Sequence, residues 1–132
     1  MISNLIEIKF ISPTKGKGLF AKEFIEKGTI NDIAYAILIP ARDYYLIENT
    51  YLGNYLFDWD DPEDPSDYKT AIPFTFCEFL NHSYTPNCGY QKIYKERSIV
   101  FYAIRNIQAG EELTINYNRI PDDKTPVWFN VI

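Results

Sequence analysis

The chain has 132 residues, enough for one compact domain and little room for a second. At 46% hydrophobic and 17% aromatic residues, with eleven Tyr and nine Phe, it holds enough apolar surface to build a core unaided, which argues against disorder and against a disulfide scaffold. The net charge of −5 is local: Asp58, Asp60, Asp61, Glu63, Asp64 and Asp67 place six carboxylates within ten residues, and the other 122 residues carry 12 acidic against 13 basic side chains. No segment clusters Lys or Arg, so direct nucleic-acid binding is disfavoured and a basic partner is favoured. Two cysteines, Cys77 and Cys88, the lack of an apolar run near the roughly 18 residues of a membrane span, and an N-terminus without a basic then apolar segment predict a soluble, intracellular protein with reduced thiols.

In chain order, Ile6, Ile8 and Phe10 alternate with Glu7 and Lys9, which predicts a half-buried strand. Ser12-Pro13-Thr14 and Gly16-Lys17-Gly18 end it in a turn. From Ile30 to Ile39, large apolar groups at Ile33, Tyr35, Ile37 and Ile39 repeat with period two, and Pro40 closes this second strand. Arg42 to Phe57 fits a helical face only partly, because Gly53 and Asn54 interrupt it; a short helix followed by a strand is expected. Asp58 to Lys69, with Pro62 and Pro65, reads as a loop. Ile99 to Ile104 is β-branched and aromatic, the most strand-like run of all. Short strands and many turns, without regular ten-residue helices between them, predict a mainly β fold.

One internal echo stands out. Phe20-Ala21, Ile25 and Gly28 recur 82 positions later as Tyr102-Ala103, Ile107 and Gly110. Two similar strand-turn units that use the same corner are expected, with the glycines supplying positive φ.

Several candidate chemistries can be weighed from the residues. Gly16-Lys17-Gly18 lacks the third glycine, following helix and distant acid of a dinucleotide site; it is either a tight turn or a place where backbone approaches a ligand closely. The only histidine lies in Asn81-His82-Ser83-Tyr84-Thr85-Pro86-Asn87-Cys88, a polar cluster that either satisfies its own turn or forms a site. Cys77, His82 and Cys88 give three potential zinc ligands where a structural site needs four, and no glycine-flanked nucleophile turn is present. The acidic run has Pro62, no glycine at the sharp-turn position and Lys69 where a calcium loop closes on glutamate. It is a solvated loop or an attractor of a basic peptide.

Three blocks, in order, resemble the SET-domain protein lysine methyltransferases: Gly16-Lys17-Gly18-Leu19-Phe20-Ala21; Phe79-Leu80-Asn81-His82-Ser83 with Pro86-Asn87-Cys88; and Ala109-Gly110-Glu111-Glu112-Leu113-Thr114-Ile115-Asn116-Tyr117. The resemblance implies a single SET domain over 1–132, with a core of 5–117 and a C-terminal lid or anchor over 118–132. It implies the β-clip fold, mainly β, with a knot-like C-terminal segment that brings the second and third blocks together around S-adenosylmethionine. Gly16, Lys17, Gly18 and Leu19, with Asn81, His82 and Tyr117, are the implied cofactor contacts. Tyr117 and Tyr90 are the implied catalytic pair, and Tyr55 and Tyr90 line the implied lysine channel, with Tyr35 a further candidate. The implied substrate is a lysine of a basic protein or peptide, histone-like or otherwise. A non-catalytic peptide-binding module of the same fold is the alternative.

Residues 118–132 contain no Cys, whereas many family members continue there with a zinc-binding cysteine triad. No metal is expected and any lid is apolar, with Trp128 and Phe129 as the candidates to cover the cofactor or channel, or else to anchor the C-terminus in the core. Without flanking domains, peptide recognition falls to the domain itself or to a second copy, so a homodimer is a further expectation. The chemistry suits Tyr and Asn rather than paired carboxylates. A lysine amine attacks a sulfonium methyl only when neutral, and deprotonation at pH 7 costs about 4 to 5 kcal/mol from a reference pKa near 10.4. An apolar channel beside a positive sulfur favours that neutral form.

Overall fold

The computed structural model describes residues 4–118, 120–128 and 131; the expectation placed on Phe129 lies outside the described residues. Among them are nine strands, one short α-helix and three 3-10 turns, the mainly β architecture that the sequence predicts. The chain separates into two compact units: Met1–Ile33, Thr75–Gln91 and Val100–Ile132 form the first, and Ala34–Phe74 with Lys92–Ile99 the second.

In the first unit, β1 (Ile6–Ser12) and β2 (Gly16–Ala21) form an antiparallel hairpin with Ile6 opposite Ala21 and Ile8 opposite Leu19. Its turn is closed by the Lys15 N–H donating to Ser12 Oγ at 3.0 Å. Two further strands complete a four-stranded sheet of order β1-β2-β9-β6, where β9 is Glu112–Ile115 and β6 is Asn81–His82. β9 runs antiparallel to β2, with Leu19 opposite Leu113, and parallel to β6, with Asn81 opposite Thr114 and His82 opposite Ile115. The expected burial of β1 holds at Ile6 but fails at Phe10, which is 67% exposed. β1 is an edge strand with a register shift between Phe10 and Ser12, and such edges leave side chains in water.

The internal echo is a reciprocal pairing. Ile25 and Ile107 exchange both backbone hydrogen bonds at 2.8 Å; Gly110 N–H donates to Ala21 and Gly28 N–H to Ala103, at 2.8 and 2.9 Å. Gly28 and Gly110 have φ of +89° and +88°, a conformation that a Cβ would strain. Leu19, Ile25, Phe101, Ile107 and Leu113 are buried to within 1% of complete. They form the core of this unit, and fully burying each such side chain contributes about 1.5–3 kcal/mol.

The remaining strands form a five-stranded sheet of order β4-β5-β3-β8-β7: β4 is Phe57–Asp58, β5 Tyr68–Pro73, β3 Ile30–Pro40, β8 Ser98–Ala103 and β7 Cys88–Ile93. Of these, β4 and β5 lie wholly in the second unit, with Asp58 opposite Thr70 and Ile37 opposite Ile72 in the antiparallel registers. The strand expected over Ile30–Ile39 is present, but its buried face is the other one. Ile33, Tyr35 and Ile37 are 50%, 71% and 53% exposed, while Asp32 and Ala34 on the opposite face are buried; Asn31, at the strand's start, is buried as well. Small side chains let the strand pack closely on that face, and a register shift between Ile39 and Pro40 accompanies the return of Ile39 to the interior. The expected short helix is α1 (Ala41–Ile47). A 3-10 turn at Tyr51–Tyr55 replaces most of the strand expected after it, leaving only the two residues of β4.

Candidate functional site

The parallel pairing of β6 with β9 puts the second and third sequence blocks side by side within the first unit. Asn81 is half-buried and its Nδ2 donates to Glu112 Oε2 at 2.7 Å and to the Lys17 carbonyl at 3.3 Å. With both amide hydrogens committed, its Oδ1 is left as an acceptor. Gly18 belongs to the same junction: a Cβ there would lie 2.8 Å from Glu112 Oε2, 3.1 Å from Asn81 Nδ2 and 2.7 Å from Ile11 Cδ1. Gly16-Lys17-Gly18 thus opens strand β2 rather than forming the tight turn the sequence suggested, and the space beside Gly18 is taken by protein atoms.

His82 is buried at 7% exposure, and burial lowers its pKa below the ordinary 6.5. A neutral imidazole suits its position, because Nδ1 accepts the Tyr117 backbone N–H at 3.0 Å, which a doubly protonated ring cannot do. The His82 and Tyr117 rings meet at 5.2 Å and 61°. Tyr117 in turn donates its hydroxyl to the Leu80 carbonyl at 2.9 Å. Thus His82 of the second block and Tyr117 of the third are hydrogen-bonded to each other, and Asn81, next to His82, is bonded to Glu112 of the third block.

The other predicted residues fall as follows. Lys17 extends over the Phe79 ring with Nζ 5.8 Å from its centroid. The Leu19 side chain is completely buried, so it reaches a ligand only through its backbone. Tyr90 is half-buried on β7 and packs against Phe101 at 6.0 Å. Tyr55 and Tyr35 belong to the second unit, where Tyr55 meets Tyr51 at 6.0 Å. Trp128 is 68% exposed and stacks on Tyr117 at 5.7 Å and 21°. That is the position of a cover rather than of a core anchor.

Two contributors were not singled out from the sequence. Asn87, 2% exposed, donates to the Glu112 carbonyl at 2.8 Å and accepts from the Thr114 N–H at 2.9 Å, so its side chain stitches the second block to β9. Glu112 supplies the carboxylate beside Asn81; its place in the third block was the available signal. Cys77 and Cys88 are buried and reduced, their thiols pushed up to about 12 by burial, which leaves them inert as nucleophiles. Among the described residues, no three His, Cys, Asp or Glu side chains gather closely enough to hold a metal ion. In the second unit, the acidic loop borders an open cavity of ≈ 280 Å³ lined by Asp58, Asp60, Asp61 and Asp64 with Trp59 and Tyr68.

The donor set around Asn81 combines backbone carbonyls, an amide oxygen and the Glu112 carboxylate beside a neutral histidine. It fits the ammonium end of an amino-acid-like ligand, as S-adenosylmethionine carries.

The family model described as SET domain matches residues 16–118. Human histone-lysine N-methyltransferase 2B is 32% identical over 115 residues, covering 80% of this chain and 4% of the human protein. A Schizosaccharomyces pombe histone-lysine N-methyltransferase specific for H3 lysine-37 is 29% identical over 104 residues, 78% of this chain and 67% of that protein. A second enzyme of the same yeast, specific for H3 lysine-4, is 35% identical over 118 residues, 83% of this chain and 12% of its own length. The chain thus spans a small part of two of these relatives and about two thirds of the third. The crystal structure of a candidate histone methyltransferase from Plasmodium falciparum matches with a TM-score of 0.65 and 28% identity, over 88% of this chain and 95% of that one.

Proposed function

This chain belongs to the SET domain family, and on that basis we propose that it transfers methyl groups from S-adenosylmethionine to the side-chain amine of a lysine in a basic protein of the histone class. The observation that carries the reading is the junction of β6 and β9, where Tyr117 bonds through its backbone to His82 and through its hydroxyl to Leu80. The histone specificities named for the relatives support the substrate class.

When bound, the donor supplies an electrophilic methyl group on a positive sulfur. The chain's own residues do the rest. Asn81, oriented by Glu112 and the Lys17 carbonyl, offers Oδ1 to an ammonium group, with the Glu112 carboxylate adding attraction. Tyr117 commits its proton to Leu80, so its phenol oxygen presents lone pairs. With donor and substrate bound, those lone pairs would accept an N–H of the lysine amine and so orient it for transfer. Desolvation by the surrounding rings favours the neutral amine. Tyr90 is part of this proposal as a wall of the lysine channel.

The test is mass spectrometry of core histones and of histone H3 tail peptides incubated with the chain and S-adenosylmethionine. A mass increase of one or more methyl groups on lysine, absent without the donor, is expected. Donor binding by calorimetry without any modified lysine would leave a peptide-binding module instead.

A further inference from the structure

Tyr84 is unused by the mechanism above, yet three contacts meet on it. Its half-buried ring stands edge-on to His82 at 4.4 Å and 86°. Its backbone carbonyl accepts from Lys124 Nζ at 2.6 Å, and its hydroxyl accepts from the Val127 N–H at 3.2 Å. Val127 immediately precedes Trp128, the residue stacked on Tyr117.

The segment 120–128 has no regular secondary structure, so tertiary contacts must offset the entropy of ordering it. Its near part is fixed by Asn116, whose Nδ2 donates to the Pro121 and Asp123 carbonyls at 3.2 and 2.6 Å, and by Asn118, which donates to the Thr125 carbonyl at 2.6 Å. Its far part reaches Tyr84 through Lys124 and Val127. Trp128 remains 68% exposed, so its stack buries too little surface to hold the strap alone. An anchor on the adjacent backbone supplies what the stack lacks.

We propose that Tyr84 is the post on which the C-terminal strap docks, holding Trp128 over Tyr117 and thereby acting as a positioning residue for methyl transfer. The strap gives this chain a cover for the site made of an aromatic post and stack. The part of this inference that concerns catalysis rests on the function proposed above; the docking itself does not.

Tyr84→Phe keeps the ring against His82 and removes only the hydroxyl acceptor. In that variant the NMR order parameters of the Val127 and Trp128 backbone N–H groups are expected to fall from about 0.85 to below about 0.6. With donor and histone peptide, kcat falls about tenfold while the donor KM changes less than about twofold, the signature of lost alignment. Trp128→Ala gives the same kcat loss, and the double variant is no worse than either single one, because both act through one stack. Unchanged order parameters in Tyr84→Phe, or a double variant that loses the product of the two effects, overturns the inference. If the unmodified chain transfers no methyl, the proposed function fails, and the order parameters still decide the docking. Should Tyr84→Phe fail to fold, Lys124→Met, which removes the strap's other bond to Tyr84, the one to its carbonyl, is read by the same order parameters, and an unaltered strap there overturns the proposal.

Discussion

The two units differ in where they carry charge and what they do with aromatic residues. The first holds all three sequence blocks and is close to neutral, with nine acidic and eight basic residues; the second has nine acidic against five basic. In the first unit, polar side chains are drawn into short, directed contacts: Asn81, His82, Asn87 and Tyr117 each bond across more than twenty residues of sequence. In the second, most of the acidic loop stays in water and satisfies itself locally, as Asp61 and Asp64 do with Glu63 and Ser66. Asp60 is the exception, held below the usual carboxylate range by the Tyr94 hydroxyl and then by Lys92. Tyr35, Leu46 and Tyr51 are more than 70% exposed there. The difference teaches that directed long-range hydrogen bonding is concentrated in one unit, while the other presents charge and apolar surface.

Substitutions can break or sharpen this contrast. The largest effect is expected at Tyr117→Phe, which removes the phenol oxygen: methyl transfer falls about 100-fold or more, and the melting transition shifts only by the loss of one hydrogen bond, about 1 kcal/mol. Single-turnover assays beside thermal denaturation check it; retained activity would remove the catalytic role from the first unit. Next is Asn87→Ala, which strands the Glu112 carbonyl and Thr114 N–H in a buried place and costs about 3 kcal/mol of stability, measured by urea unfolding. An equal loss at half-buried Asp61→Ala, in the acidic loop, would erase the distinction between the units.

A smaller effect concerns Glu78, whose carboxyl burial pushes from 4.5 up to about 8. The folded state therefore holds this proton more tightly than the unfolded chain. Its contribution is full below about 4.5, declines as pH rises and is gone above about 8. Unfolding free energies measured across that range should fall toward alkaline pH, and Glu78→Gln should flatten the slope. The smallest effect is expected from neutralising Asp61, Glu63 and Asp64 together: a reduction of about threefold in kcat/KM for a basic peptide, present at low salt and absent near 0.5 M. A salt-independent loss would mean that the loop acts by shape rather than by field.

Much of the architecture was legible in local patterns. The β1 and β8 runs, the turn after β1 and the short helix at 41–47 follow from alternation and punctuation, and the repeated aromatic-Ala, Ile and Gly spacing foretold a paired corner. The face of β3 was not legible. Alternation gives a period but not a direction, and the strand turned Asp32 and Ala34 inward in place of Ile33, Tyr35 and Ile37. Nor was β6 legible, since a two-residue strand has no period to read; its partner β9 lies more than thirty residues away.

The sequence by itself determined which residue types the site would contain, because motif chemistry is local: an amide, an imidazole and a phenol stand in fixed short contexts. Only the tertiary structure decided how they are used. The parallel register of β6 on β9 turned His82 into an acceptor for Tyr117 and Glu112 into the partner of Asn81, and the fold of the segment after β9 made Tyr84 the partner of Val127. Hydrogen-bond direction and stacking depend on distances set by packing between segments far apart in the chain, and no short stretch of residues encodes those distances.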